Sequence, residues 1–130
     1  MLLNIVLVGA GEVGFNLSKF LSKENYNLTV IDIDPIKCNR VKNTIDARVI
    51  EGDGCSQRIL QTIDFSNIDY FLALTKIDEI NLVSSTIAKK MGAKNIIARL
   101  RNTEYIHSNA LVSPENFGID DVTIEEEISE

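Results

Sequence analysis

Gly9, Gly11 and Gly14, set just after the apolar run Ile5-Val6-Leu7-Val8, and an aspartate at position 32 have the types and spacing to recognise a nucleotide anion. In a strand–turn–helix unit each glycine has its own task. The first allows a tight turn out of the strand, the second lets a pyrophosphate approach the backbone, and the third lets the helix pack closely on the strand. The phosphates then sit at the helix N-terminus, where free N–H groups and the helix dipole favour negative charge. Ala10, Glu12 and Val13 complete the loop. The N–H groups of Glu12 and Val13 can face the phosphates, but the Glu12 carboxylate must point outward or oppose them. Asp32 lies eighteen residues after Gly14, where an acid that binds the adenosine ribose hydroxyls is expected. Such an acid repels a 2′-phosphate, which favours NAD(H) over NADP(H). A helix-capping role is the alternative for Asp32, and is the main role expected of Asp34.

Further candidates fall where later strands should end. Gly52-Asp53-Gly54 places Asp53 within reach of adenine, or makes it part of a tight turn. Thr75 can offer hydroxyl and backbone contacts, and Lys76 a positive charge. Asp78 reads as a helix cap, while Asn81 has no evident structural duty. Arg99 and Arg101 stand two apart, on one face of a strand. Such charges need a partner, either a ligand phosphate or local carboxylates. His107, the single histidine, reads as an exposed or core-edge residue. Cys38 and Cys55 fit no metal spacing and read as reduced thiols. The sequence shows no paired acid/base groups of the kind hydride transfer to a substrate needs. Binding without catalysis is therefore expected, with the cofactor domain of an NAD-dependent oxidoreductase lacking its substrate domain as the alternative.

These residues need a scaffold, and the apolar pattern supplies one. Strands are expected at Asn4–Val8, Leu28–Asp32, Ala47–Glu51, Asp69–Leu74, Asn95–Leu100 and Asp120–Ile124, with a turn at Asn25-Tyr26-Asn27. Helices are expected at Glu12–Lys23, with Val13, Leu17, Phe20 and Leu21 inward, and from Asp34-Pro35 to Thr44. A short helix should cover Cys55–Ile63, with Ser56 as a possible cap. A longer one should cover Glu79–Met91, with Ile80, Val83, Ile87 and Met91 inward and Gly92 ending it. A less regular helix is expected at Thr103–Leu111. Strands alternating with helices of this length imply right-handed crossovers. The expected fold is a Rossmann-like α/β domain over residues 1–124, a doubly wound parallel sheet of about six strands with helices on both faces.

The formal charge of −6 argues against a nucleic-acid or anionic-membrane partner, which would need a basic face. No apolar stretch approaches the roughly 20 residues of a membrane span, so direct membrane insertion is not expected. No signal-peptide pattern opens the chain. Glu125-Glu126-Glu127 marks an acidic end at 125–130, read as a solvated terminus or as a cut before a second domain.

Five segments together resemble the N-terminal RCK or KTN domain of TrkA-type potassium-uptake regulators: IVLVGAGEVG at 5–14, VIDID at 30–34, GDG at 52–54, ALTKIDEINLVSSTIAKK at 73–90 and ARLRNTEY at 98–105. The first is generic, whereas the last two in combination are specific, and the match runs over residues 2–124. The resemblance implies a cytoplasmic regulatory subunit held at the inner face of the membrane by a potassium transporter. It implies a homodimer or larger ring, binding NAD(H) and in some members ATP or ADP, with gating through a ligand-dependent hinge. By that resemblance Gly9 to Val13 hold the phosphates, Asp32 the adenine ribose, and Asp53 with Gly54 the adenosine side. Thr75 and Lys76 would line the pocket, and Arg99 would face phosphate or the neighbouring subunit. ATP-sensing members often carry a basic residue in the glycine loop; Glu12 takes that place here, which argues against a strong ATP preference.

Overall fold

The computed structural model describes residues 2–124. Six strands, β1 (Asn4–Val8), β2 (Asn27–Asp32), β3 (Arg48–Glu51), β4 (Tyr70–Ala73), β5 (Asn95–Leu100) and β6 (Asp121–Ile124), form one sheet in the order β3-β2-β1-β4-β5-β6. Every pairing is parallel. Four α-helices connect the first five strands: α1 (Glu12–Lys23), α2 (Pro35–Thr44), α3 (Gln57–Leu60) and α4 (Asp78–Lys90), and only short 3-10 turns lie between β5 and β6. The expected Rossmann-like sheet is therefore present, and the strand bounds differ from expectation by one residue at most. The acidic stretch 125–130 lies outside the described residues.

Strand alternation divides the core in two. Ile5, Leu7, Leu28, Val30 and Leu72 face Phe15 of α1 and Val41 of α2. Val6, Val8, Phe71, Ala73, Ile96 and Ala98 face Leu60 of α3 and Leu82 and Ala88 of α4. Complete burial of a side chain such as Phe71 or Leu7 contributes about 1.5–3 kcal/mol. The central strands are apolar on both faces because helices cover both.

Four helical expectations need correction. In α1, the buried residues are Gly14, Phe15 and Ser18, whereas Val13 and Phe20 are exposed and Leu17 and Leu21 half-buried. A Cβ on Gly14 would stand 1.7 Å from the Gly9 carbonyl oxygen. That backbone contact, rather than the largest apolar side chains, fixes the helix rotation. In α4, Val83 is exposed, Ile80, Ile87 and Met91 are half-buried, and Asn81, Leu82, Ser84, Ser85 and Ala88 face inward. Small and polar residues there let the helix lie close to β4 and β5. Gly92 does follow the helix in the left-handed conformation, φ +106°.

The segment Cys55–Ile63 holds only the single turn of α3. Ser56 caps it as expected, accepting from the Ile59 N–H at 3.3 Å. Beyond Leu60, the Thr62 and Ile63 N–H groups bond only three residues back, which tightens the turn and ends it. The expected helix at Thr103–Leu111 is a 3-10 turn at Thr103–Tyr105. Only Tyr105 and Ala110 in that stretch are even half-buried, and Leu111 is fully exposed. With no apolar face to bury, a longer helix gains nothing from packing.

Candidate functional site

The sheet order reverses between β1 and β4: β1 leads to α1 on one face, β4 to α4 on the other. In open parallel sheets ligands bind at the carboxyl ends of the strands at such a switch point. A cleft of about 640 Å³ lies there, within the usual size of a small-molecule site. Its lining includes ten of the twelve expected residues: Gly9, Gly11, Glu12, Val13, Asp32, Asp53, Gly54, Thr75, Lys76 and Arg99. Ala10 and Gly14 are buried behind the loop and do not line the cleft.

The floor is the turn from β1 into α1. Gly9 has φ +105°, and its N–H donates to the Ile31 carbonyl at 2.9 Å. A side chain here would be strained and would press on the backbone of Leu74 and Thr75. Gly11 is the opposite case: a Cβ there would meet nothing within 4 Å, so the space above it is open. Phe15 is the first helical N–H to bond back, to the Gly11 carbonyl at 2.8 Å, and no side chain caps α1. By helix geometry the preceding N–H groups lack intrahelical acceptors. The contrast with α2 and α3 is direct, because Asp34 accepts from the Ile36 N–H at 2.9 Å and Ser56 caps α3.

Asp32 forms the wall at the end of β2. Its Oδ2 accepts from the Ala10 N–H at 2.7 Å and its Oδ1 from the Asp34 N–H at 2.8 Å. The carboxylate thus ties the glycine loop to the start of α2. A carboxylate offers about four acceptor positions, and two remain for a ligand. Asp53 accepts from the Cys55 N–H at 2.8 Å, a local turn that leaves it on the rim. Glu12 points outward, with its Oε1 3.2 Å from Arg40.

The opposite wall rests on Asn81, which does have a structural duty, contrary to the sequence reading. It is fully buried. Its Oδ1 accepts from the Thr75 N–H at 3.0 Å and from the Thr75 hydroxyl at 2.7 Å, while its Nδ2 donates to the Thr75 carbonyl at 3.0 Å and the Arg99 carbonyl at 2.8 Å. One side chain pins the ends of β4 and β5 together. The Thr75 hydroxyl proton is engaged there, which leaves its oxygen mainly as an acceptor. Asp78 does not cap its own helix by its side chain. Its carboxylate accepts from the N–H groups of Arg101 (2.9 Å) and Asn102 (2.7 Å), holding the chain as it leaves β5. Arg99 is buried, and burial, then the Arg101 charge, push its guanidinium pKa down while Asp78 pulls it up.

Sequence reasoning missed Lys37, Ile33, Ile77 and Ile80, which also line the cleft. Lys37 lies three residues beyond the Asp34 cap, so the helix start was a usable signal for it. Ile33 and Ile77 had none, because exposed apolar side chains on loops follow no period, and Ile80 sits on the helical period of α4, where it reads as a core position. His107 is exposed and its Nδ1 accepts from the Asn109 N–H at 3.3 Å. Cys38 and Cys55 are free thiols. Burial first, then the nearby Asp53 charge, push the Cys55 thiol up, away from the reactive thiolate. Among the described residues no helix is long and apolar enough to cross a membrane, and no metal-binding cluster is present.

The family model of the TrkA-N domain matches residues 5–124. The chain belongs to the TrkA-N family. It is 39% identical over 104 residues to a Trk system potassium uptake protein TrkA homolog of Archaeoglobus fulgidus, covering 80% of this chain and 23% of that protein. The chain therefore spans about a quarter of the length of such relatives. In fold, this TrkA-N domain superposes on the TrkA-N domain of the Escherichia coli inner membrane protein ybaL with a TM-score of 0.79. That pair is 18% identical, and the match covers 95% of this chain and 88% of the other. A GsuK channel bound to NAD gives a TM-score of 0.77 at 15% identity, covering 95% of this chain and 21% of that one. GsuK bound to ADP gives 0.77 at 15% identity, covering 95% and 31%.

Proposed function

We propose that this TrkA-N domain is a nucleotide-sensing regulatory domain of a potassium-uptake system, binding NAD(H), with ADP or ATP as further ligands, and doing no chemistry on them. The observation that carries the reading is the uncapped N-terminus of α1 under open space at Gly11, beside a carboxylate held at the end of β2. In that reading the N–H groups of Gly11 to Val13 receive the phosphates. Asp32 receives the adenosine ribose with its two remaining acceptor positions. Asp53 and Gly54 border the adenosine side, and Thr75, Lys76 and Arg99 border the other half of the ligand. The kinship with Trk potassium uptake proteins supports the transport role, and the GsuK structures with NAD and ADP support the ligand class.

Residues 1–124 act as the sensing domain, with a homodimer as the working unit at the cytoplasmic face of a transporter subunit. Bound nucleotide shifts that transporter only by binding two arrangements of the assembly with different affinity. Calorimetry with NAD+, NADH, NADPH, ATP and ADP tests the proposal. NADH and ADP should bind, and Asp32→Ala should weaken NADH by about tenfold, the loss of one or two charged hydrogen bonds. Absence of binding by all five would refute it, and an unchanged NADH affinity in Asp32→Ala would refute the ribose assignment.

A further inference from the structure

Glu12 is the first residue of α1 and borders the space where phosphate would sit. Its charge is unfavourable there. The structure shows where that charge goes: Oε1 lies 3.2 Å from the Arg40 guanidinium on α2. Arg40 does not line the cleft. Its guanidinium carbon stands 3.6 Å from the centroid of the Phe15 ring, and Phe15 is only 4% exposed, fixed in the core under α1. A planar cation on an aromatic face is held in place by the ring as well as by its ion pair. One side chain therefore has a rigid base and reaches back to the acid of the glycine loop.

We infer that Arg40 is a positioning residue for nucleotide binding: stacked on Phe15, it holds the Glu12 carboxylate off the phosphate position. The inference rests on the nucleotide reading above. As a support for the fold the pair counts for little, because both side chains are largely exposed, at 48% and 76%, and such pairs contribute little to stability. Its effect is instead on which way a charge points. Without Arg40, the Glu12 side chain is free to turn toward the helix N-terminus, where the dipole attracts it. There it competes with an incoming phosphate for the same N–H groups and repels it.

Calorimetry of NADH and ADP binding on the full chain tests this, with thermal melting of each variant measured alongside. Arg40→Ala should weaken both ligands by about three- to tenfold, more at low salt than at high salt. Adding Glu12→Gln to Arg40→Ala should recover most of that loss, since the competing charge is then gone. Arg40→Lys, which keeps a cation within reach of Glu12, should lose less than Arg40→Ala. Lys42→Ala removes the same net charge from an exposed position on α2 and should stay within about twofold of the parent. Arg40→Gln, which keeps a long stem over Phe15, replaces Arg40→Ala if that variant does not fold. The inference is overturned if Arg40→Ala binds as the parent does, if Glu12→Gln fails to recover the loss, or if Lys42→Ala loses as much. A parent chain that binds neither ligand defeats the nucleotide reading itself and this inference with it. A parent that binds, with an indifferent Arg40→Ala, defeats the inference alone.

Discussion

The two halves of the cleft are built by different means. On the β1–β2–β3 side the wall is main chain: a left-handed glycine, a helix start with no cap, and one carboxylate that stitches two loops together. On the β4–β5 side the wall is held from behind by buried polar side chains of α4, with Asn81 and Asp78 gripping the backbone of Thr75, Arg99, Arg101 and Asn102. The first half depends on what is missing from the side chains. The second depends on side chains that do not line the cleft. The difference predicts distinct failures: steric changes should break the first half, and loss of hydrogen-bond partners the second.

The largest effect is expected at Gly14. Any Cβ there collides with the Gly9 backbone, which cannot move without opening the turn. Gly14→Val should destabilise the domain by about 3 kcal/mol or more, seen as insoluble expression or a collapsed urea midpoint. Gly11→Val is the paired control. With nothing within 4 Å of its Cβ position, it should fold nearly as the parent does yet lose nucleotide binding. A Gly11→Val variant that unfolds would show that the open space at Gly11 is not spare room.

Asn81 comes next, as the counterpart in the other half. Asn81→Leu leaves the Thr75 N–H and the Arg99 carbonyl without that partner in a buried site. Unmet buried polar groups cost about 1–3 kcal/mol each, so a loss of about 2–4 kcal/mol in urea unfolding is expected. Asn81→Asp keeps the acceptor for Thr75 but sets a buried carboxylate oxygen against the Thr75 and Arg99 carbonyls, and should cost at least as much as Asn81→Leu. A smaller loss for Asn81→Asp than for Asn81→Leu would mean that the acceptor side, toward Thr75, carries most of the contribution. Asp78→Ala, which frees the N–H groups of Arg101 and Asn102 near the surface, should cost less, about 1–2 kcal/mol.

The same contrast explains what could be read in advance. The positions of the six strands, the glycine loop and the place of Asp32 at the end of β2 are legible in the sequence, because strand alternation and glycine geometry are local properties with a fixed period and spacing. Asn81 is not. Its partners are six residues and eighteen residues away in sequence, and no pattern within α4 announces them. The rotations of α1 and α4 were misjudged for a related reason. Apolar periodicity points the bulkiest residues inward, whereas Gly14 and Asn81 impose close backbone contacts that turn Phe20 and Val83 toward solvent. Lys37 fell between the two cases: it follows from the start of α2, but only the fold shows that α2 begins beside the cleft.

The smallest effect tests whether backbone-gripping carboxylates matter to the ligand only when they stand at the cleft. Asp69 is the equivalent device at the opposite end of the sheet. It accepts from the Asn4 N–H at 2.8 Å, with Lys94 3.4 Å away. The Asn4 hydrogen bond first, then Lys94, hold its carboxyl below the usual 3.8. A depressed folded-state pKa gives stability that is present above the unfolded value, near 4, and is lost as pH falls through the folded value. Asp69→Asn should therefore flatten the loss of stability below about pH 4, measured as the melting temperature from pH 6 to pH 2. It should leave NADH affinity at neutral pH as it was. Asp32 makes the same kind of bond to a strand-end backbone but borders the cleft, so its replacement should move the affinity. If Asp69→Asn weakened NADH as much as Asp32→Ala does, the effect of Asp32 would be general loosening of the sheet rather than contact with the ligand.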